Sequence, residues 1–186
     1  MKLDNQTGWL TEIRHFPSPY FNKRSNNKDI NLLVIHNISL PPNEFGTPYI
    51  EQMFAGQLDK TTHPYFAQIN TEVSAHFLIN RAGKIVQFVS VYDKAWHAGK
   101  SSFAGRDHCN DYSLGIELEG SNFVPFETIQ YKKLVALIVL LTQHFPAITL
   151  ERIVGHETIA PGRKTDPGPY FDWQLLRATL RQHGLK

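Results

Sequence analysis

Five side chains have the types and placement for hydrolytic metal chemistry: His36, His156, Asp166, Glu117 and Lys164. Three of them, His156, Lys164 and Asp166, crowd into the stretch Gly155 to Pro169, which also holds three glycines and three prolines. That composition predicts a loop, and loops held on a rigid scaffold are where binding and catalytic residues concentrate. His156 and Asp166 read as two ligands of one metal ion. His36 directly follows the run Leu32-Leu33-Val34-Ile35, at a predicted strand end, and reads as the third. Two imidazoles and a carboxylate suit zinc and need no thiolate. A catalytic zinc takes three protein ligands and keeps one position open for water. One rival pattern is excluded: His156-Glu157 would open an H-E-x-x-H helix motif, but position 160 is alanine.

A hydrolytic site of this kind also needs a base and a counter-charge. Glu117 lies in Ser113-Leu114-Gly115-Ile116-Glu117-Leu118-Glu119, where Leu114, Ile116 and Leu118 alternate with Gly115, Glu117 and Glu119. A strand sends these two sets to opposite faces. Glu117 on the polar side would take a proton from a metal-activated water and later return it to the leaving amine. Glu119 faces the same way and competes for that role. Lys164, two residues before Asp166, is placed to stabilise the oxyanion of a tetrahedral intermediate. Because zinc lowers the pKa of water to ~7, no protein nucleophile is required. None is evident: no G-x-S-x-G occurs, and Cys109, the one cysteine, lacks an activating partner in sequence. Cys109 reads as a buried small hydrophobe.

The elements that must position these residues can be read from pattern. Asn31 to Asn37 contains a branched apolar run, the mark of a strand buried on both faces. Val73–Asn80 and Ile85–Val89 around the Gly83 turn predict a β-hairpin. Arg152-Ile153-Val154 predicts a short strand leading into His156. Thr128 to Phe145 predicts a helix, with Leu134, Leu137, Ile138 and Leu141 on one face, Thr128 as N-cap and Pro146 as stop. Asp172 is placed to cap a last helix over residues 173–182, with Gly184 just past its end. Residues 1–30 read as an irregular arm with aromatic anchors. Residues 38–66 read as a long loop insertion with a short helix near Pro48. A hairpin together with strands separated by a helix implies an α/β fold: a single domain, a mixed sheet with helices packed on it.

Composition bounds the function class. With 186 residues, 41% hydrophobic and 19% charged, the chain suits one globular domain. A net charge of +2 gives no electrostatic case for nucleic acid or an anionic membrane. The longest apolar run, Leu134 to Leu141, falls far short of the ~20 residues a membrane span needs. A single cysteine excludes an intramolecular disulfide. The polar start Met1 to Gly8 lacks the apolar stretch of a secretory signal, so a cytoplasmic location is expected; a monomer is the expected state. The nine histidines are the compositional surplus. Of these, His76 in mid-strand is expected in the core, and His15, His144 and His183 on the surface.

Six pieces, in order, carry a family resemblance: Val34-Ile35-His36-Asn37, Val73-Ser74-Ala75-His76-Phe77-Leu78-Ile79, Ala95-Trp96-His97-Ala98-Gly99, Gly115-Ile116-Glu117-Leu118-Glu119-Gly120, Val154-Gly155-His156 and Lys164-Thr165-Asp166-Pro167-Gly168-Pro169. Together they resemble the zinc-dependent N-acetylmuramoyl-L-alanine amidases, which share their fold with peptidoglycan-recognition proteins. Within that family, His36 to Pro42, His63-Pro64-Tyr65-Phe66 and Cys109-Asn110-Asp111-Tyr112-Ser113 resemble the cytosolic 1,6-anhydro-N-acetylmuramyl-L-alanine amidase branch. The resemblance implies one zinc ion on His36, His156 and Asp166, Glu117 as catalytic carboxylate and Lys164 as its aid. It implies a muropeptide substrate, cut between the lactyl group of anhydro-muramic acid and L-alanine. It places Asn37, Trp96 and His97 near that substrate, and makes Arg106 and His108 the candidates for meeting the stem-peptide carboxylates. Two rival readings share the scaffold: a peptidoglycan-binding module without catalysis, and an amidase acting on intact peptidoglycan outside the cytoplasm.

Overall fold

The computed structural model describes residues 1–186. In chain order the strands are β1 (Arg14–His15), β2 (Phe21–Lys23), β3 (Leu32–Ile38), β4 (Phe77–Ile79), β5 (Ile85–Gln87), β6 (Asp93–Ala95), β7 (Ser102–Phe103), β8 (Arg106–Asp107), β9 (Ser113–Glu119) and β10 (Ile153–Gly155). The α-helices are α1 (Tyr49–Phe54), α2 (Thr128–His144), α3 (His156–Ile159) and α4 (Trp173–Gln182). Six strands form one mixed sheet in the order β1-β5-β4-β9-β3-β10. Only β4 and β5, the predicted hairpin, pair antiparallel within it; the other neighbours are parallel. The expected α/β single domain is therefore the one observed.

Alternation along β3 and β9 decides which residue meets which layer. Leu33, Ile35, Leu114, Ile116 and Leu118 face α2 and α4, and with them build the largest apolar cluster. On the other face, Leu32, Val34 and Val154 join Cys109, Tyr112 and Ile159 in a second cluster. Leu78 and Val86 join Leu40, Phe54, Phe66 and Phe88, from the 38–66 insertion and the strand edges, in a third. Each large apolar side chain buried this way contributes ~1.5–3 kcal/mol against exposure. The register places Glu117 beside Leu78 on one side and His36 on the other. The polar residues thus occupy the seam between two apolar clusters, on the sheet face that α2 leaves uncovered.

Several boundaries differ from the sequence reading. The 1–30 arm is less irregular than expected: β1 extends the main sheet beside β5, β2 pairs with β6, and Leu3 and Leu10 are buried in the helix-side core. Residues 73–75 stay outside the hairpin. The Ser74 N–H donates to the Trp96 carbonyl, whereas His76, just before β4, still accepts the Phe88 N–H on its carbonyl and donates its own N–H to the Gly115 carbonyl. β3 continues two residues past His36. The N-cap of α2 is Glu127, not Thr128, because Glu127 and Gln130 form a reciprocal capping box. Gln130 is fully buried, and its amide donates to the carbonyls of Ile79 and Glu119, stitching the helix to the sheet. Asp172 caps α4 through the Leu175 N–H, as expected. No helix is long and apolar enough to cross a membrane.

Candidate metal centre

Three parallel strand ends bring the key groups into one row. His36 on β3 lies directly opposite Glu117 on β9, so their side chains leave the sheet side by side. β10 pairs with β3 through Gly155 opposite Ile35, which puts His156 level with His36 one residue further on. Ligand sites form outside the carboxyl ends of parallel strands for this geometric reason. The predicted loop begins with a helical turn: α3 starts at His156, and the chain returns through Asp166, whose carbonyl accepts the Glu157 N–H at 3.0 Å.

The donor atoms converge. His36 Nδ1 lies 3.0 Å from His156 Nδ1 and 3.0 Å from Asp166 Oδ2, and His156 Nδ1 lies 3.1 Å from that oxygen. Tetrahedral zinc with ligands at ~2.0–2.1 Å keeps them ~3.3 Å apart, close to this triangle. The outer nitrogens explain which lone pairs face the centre. His156 Nε2 donates to the Ala98 carbonyl at 3.0 Å, which leaves Nδ1 bare in the neutral ring. His36 Nε2 meets His97 Nδ1 at 3.0 Å, and His97 Nε2 meets Ser113 Oγ at 3.1 Å. Two imidazole nitrogens and a carboxylate oxygen facing one point suit a bound cation, so the donor set fits zinc.

Electrostatics agree with the geometry. Burial pushes His36 down to about 4, against the opposing pull of Asp166, so the ring stays neutral. Burial works to raise Asp166, but the adjoining His156 and His36 rings outweigh it and hold the carboxyl well below the usual range. Glu117 behaves oppositely. Burial first, then the nearby Asp166 charge, raise it well above an ordinary carboxyl, and Lys164 only partly opposes them. Glu117 Oε2 is buried without a hydrogen-bond partner. A carboxyl so placed, with its proton affinity raised and an oxygen free, is suited to exchanging a proton with a neighbouring water.

The competing carboxylate is consumed by structure. Glu119 Oε1 accepts the Gly46 N–H at 2.5 Å and Oε2 accepts the Arg81 N–H at 2.9 Å, anchoring the insertion and the hairpin turn. Lys164 is exposed at the rim of a cavity of about 440 Å³ that also meets His36, Asn37, Trp96, Glu117 and Asp166. Asn37 spends both amide protons on Asn122 Oδ1 and the Pro167 carbonyl. Trp96 is held by Nε1 donating to Asn22 and by stacking on Tyr20. Arg106 and His108 lie elsewhere: Arg106 is paired with Asp29, and His108 opens onto a separate cavity with Lys100 and Arg163.

His97 is buried and supports the centre from behind, edge-on to His36. It can lie there because residue 115 is glycine; a Cβ at that position would sit 2.5 Å from the His97 ring. His76 is a core histidine, as expected, with Nδ1 accepting the Gly115 N–H and Nε2 donating to the Asp93 carbonyl. Sequence reasoning missed the supporting parts: Gly115, Ser113, Arg24, Asn110 and the Ala98 carbonyl. Arg24 comes from the arm and donates to the carbonyls of Asn110 and Ser113. A glycine two residues before Glu117, on the polar side of an alternating strand, was the available signal, since strand glycines often mark close approach.

Residues 26–169 match the N-acetylmuramoyl-L-alanine amidase family. The chain is 54% identical to the 1,6-anhydro-N-acetylmuramyl-L-alanine amidase AmpD of Haemophilus influenzae, over 96% of this chain and 97% of that protein. It superposes on the crystal structure of an AmpD selenomethionine derivative with a TM-score of 0.91, at 51% identity, over 96% of this chain and 98% of the other. A more distant likeness, with a TM-score of 0.60 at 32% identity, covers 84% of this chain and 58% of AmiD from E. coli. That structure is a complex with anhydro-N-acetylmuramic acid-L-Ala-D-gamma-Glu-L-Lys. A shared fold alone would leave the activity open, but here identity extends over nearly the whole of both chains, and this protein belongs to the N-acetylmuramoyl-L-alanine amidase family.

Proposed function

We propose that this chain is a cytoplasmic zinc amidase that hydrolyses the amide between anhydro-N-acetylmuramic acid and L-alanine in recycled muropeptides. The observation that carries the reading is the meeting of His36, His156 and Asp166 beside Glu117, a buried carboxyl with one unpartnered oxygen. The near full-length likeness to AmpD supports the substrate class. His36, His156 and Asp166 would hold the ion, which supplies Lewis acidity and lowers the pKa of water to ~7.

The remaining steps belong to this chain's own side chains. Glu117, its proton affinity raised by burial, takes a proton from the attacking water and delivers it to the departing alanine nitrogen. The Lys164 ammonium, at the cavity rim, offsets the negative charge that develops on the carbonyl oxygen. Trp96 offers an aromatic wall for the sugar, and Asn37 retains its side-chain oxygen for a polar contact. Arg106 is committed to Asp29, so the cavity lined by Lys100, His108 and Arg163 is the better-placed region for stem-peptide carboxylates. The working unit in this reading is a monomer, since all five catalytic groups come from one chain.

The test is turnover of anhydro-muropeptide by purified protein before and after chelation, and after zinc is restored. Loss and recovery of activity are expected. Full activity in metal-stripped protein would sink the zinc assignment, and faster cleavage of intact sacculi than of anhydro-muropeptide would sink the substrate assignment.

A further inference from the structure

The loop from Trp96 to Lys100 touches both histidines of the metal triangle on their outer nitrogens. His97 offers Nδ1 to His36, and Ala98 offers its carbonyl to His156. Metal-bound histidines depend on such outer partners for tautomer and ring direction. The question then becomes what holds the loop.

Two side chains do so from opposite sides. Asn110 Oδ1 accepts the His97 N–H at 3.1 Å and the Ala98 N–H at 2.8 Å. Arg163 Nη2 donates to the Ala98 carbonyl at 2.7 Å and to the Lys100 carbonyl at 2.6 Å. The Ala98 peptide is therefore gripped at its N–H by Asn110 and at its carbonyl by Arg163, and that same carbonyl receives His156 Nε2. Asn110 is itself anchored, because its carbonyl accepts from the buried Arg24 at 2.8 Å. Gly99 completes the fit. Its φ of +58° is one that L side chains rarely adopt, and a Cβ there would lie 3.4 Å from the Arg163 guanidinium.

We propose that Asn110 and Arg163 are positioning residues for the metal centre, clamping the His97–Lys100 backbone so that His36 and His156 both present Nδ1 to the ion. Neither residue is among the ligands, and Arg163 reaches the centre only through backbone carbonyls. The role is distinct from surface charge, because both bonds leave one nitrogen, Nη2, which lies one bond further along the side chain than a lysine ammonium extends.

The inference rests on the zinc reading above, and zinc binding rather than turnover tests it. Zinc affinity is measured by competition with a chromophoric chelator for the parent, Asn110→Ala, Asn110→Asp, Arg163→Ala and Arg163→Lys. Cobalt(II) absorption reports coordination geometry, and imidazole ¹⁵N shifts report the tautomers in the metal-free protein. Asn110→Ala and Arg163→Ala should each weaken zinc binding ~10–100-fold, the usual cost of an outer partner. Both should alter the cobalt spectrum and mix the His156 tautomers. Asn110→Asp keeps the acceptor oxygen and should restore binding; Arg163→Lys should not. If Asn110→Ala fails to fold, Arg163→Ala, altering an exposed side chain, decides alone. Parent-like affinity and spectra in Arg163→Ala would overturn the inference while leaving the zinc reading intact. A parent that binds no zinc would overturn both.

Discussion

The site has a sheet-borne half and a loop-borne half, and they are held by different means. His36 and Glu117 sit opposite each other on the two central parallel strands, where ladder hydrogen bonds and two apolar clusters set their positions. His156, Lys164 and Asp166 sit on a short helical turn and an exposed return segment, in which Pro161 to Thr165 face solvent. That segment is tied back by individual bonds: Glu157 N–H to the Asp166 carbonyl, Asn37 to the Pro167 carbonyl, and Arg163 to the 98–100 backbone. Register fixes geometry without side-chain help. A loop needs specific partners, and those partners come from the strands beside it.

The contrast is sharpest within one strand. Glu117 and Glu119 share β9 and the same face, yet only Glu117 keeps a free oxygen. The largest expected effect is therefore on rate: Glu117→Ala should lower kcat ~10²–10⁴-fold, the usual range for a general acid–base group, while zinc content stays unchanged. Glu119→Ala should retain most turnover per folded molecule but lose ~1–3 kcal/mol for each backbone N–H left without an acceptor. Steady-state kinetics paired with urea unfolding separates the two, and an inactive but stable Glu119→Ala protein would reverse the assignment.

Acid should next weaken the sheet-borne half. Burial depresses His36 to about 4 and His76 to about 3 from an ordinary 6.5, and holds His97 well below that value. All three stay neutral in the folded chain, so the unfolded chain binds protons first as pH falls. Their contribution is full above pH 6.5 and drains away as pH drops toward the folded values. Urea unfolding of metal-free protein should show ~2 kcal/mol lost per such histidine between pH 6.5 and pH 5. His76→Gln should remove one share, and an unchanged slope in that variant would contradict the burial argument.

The smallest effect should come from the tie between the halves. Asn37→Ala removes two hydrogen bonds, to Asn122 and to Pro167, and should cost ~1–3 kcal/mol in thermal or urea unfolding. Faster amide exchange confined to residues 164–169 would place the loss in the loop; uniform loosening of β3 would argue against separate halves.

Legibility followed the same division. The branched run before His36 and the alternation around Glu117 each imply a strand with one definite face, because strand side chains repeat every two residues. The apolar stripe of α2 and the Asp172 cap were equally readable. The arm was misread because its two strands are too short to show alternation, and they exist only by pairing with β5 and β6. The Thr128 cap was misread because Thr and Glu both accept backbone N–H groups, and the capping box with Gln130 decided between them.

The sequence by itself determined the candidate ligand types, the base candidates and the period of the strands that carry them, since those depend on side-chain chemistry and local spacing. Tertiary structure decided the rest. Parallel register made His36, Glu117 and His156 neighbours across a long stretch of chain. Backbone donors from distant loops engaged Glu119 and left Glu117 free. The Ala98 carbonyl and His97 meet the outer nitrogens of the two histidines whose Nδ1 atoms face the centre. None of these is a property of a residue and its chain neighbours. Each requires groups remote in sequence to meet, which folding alone brings about.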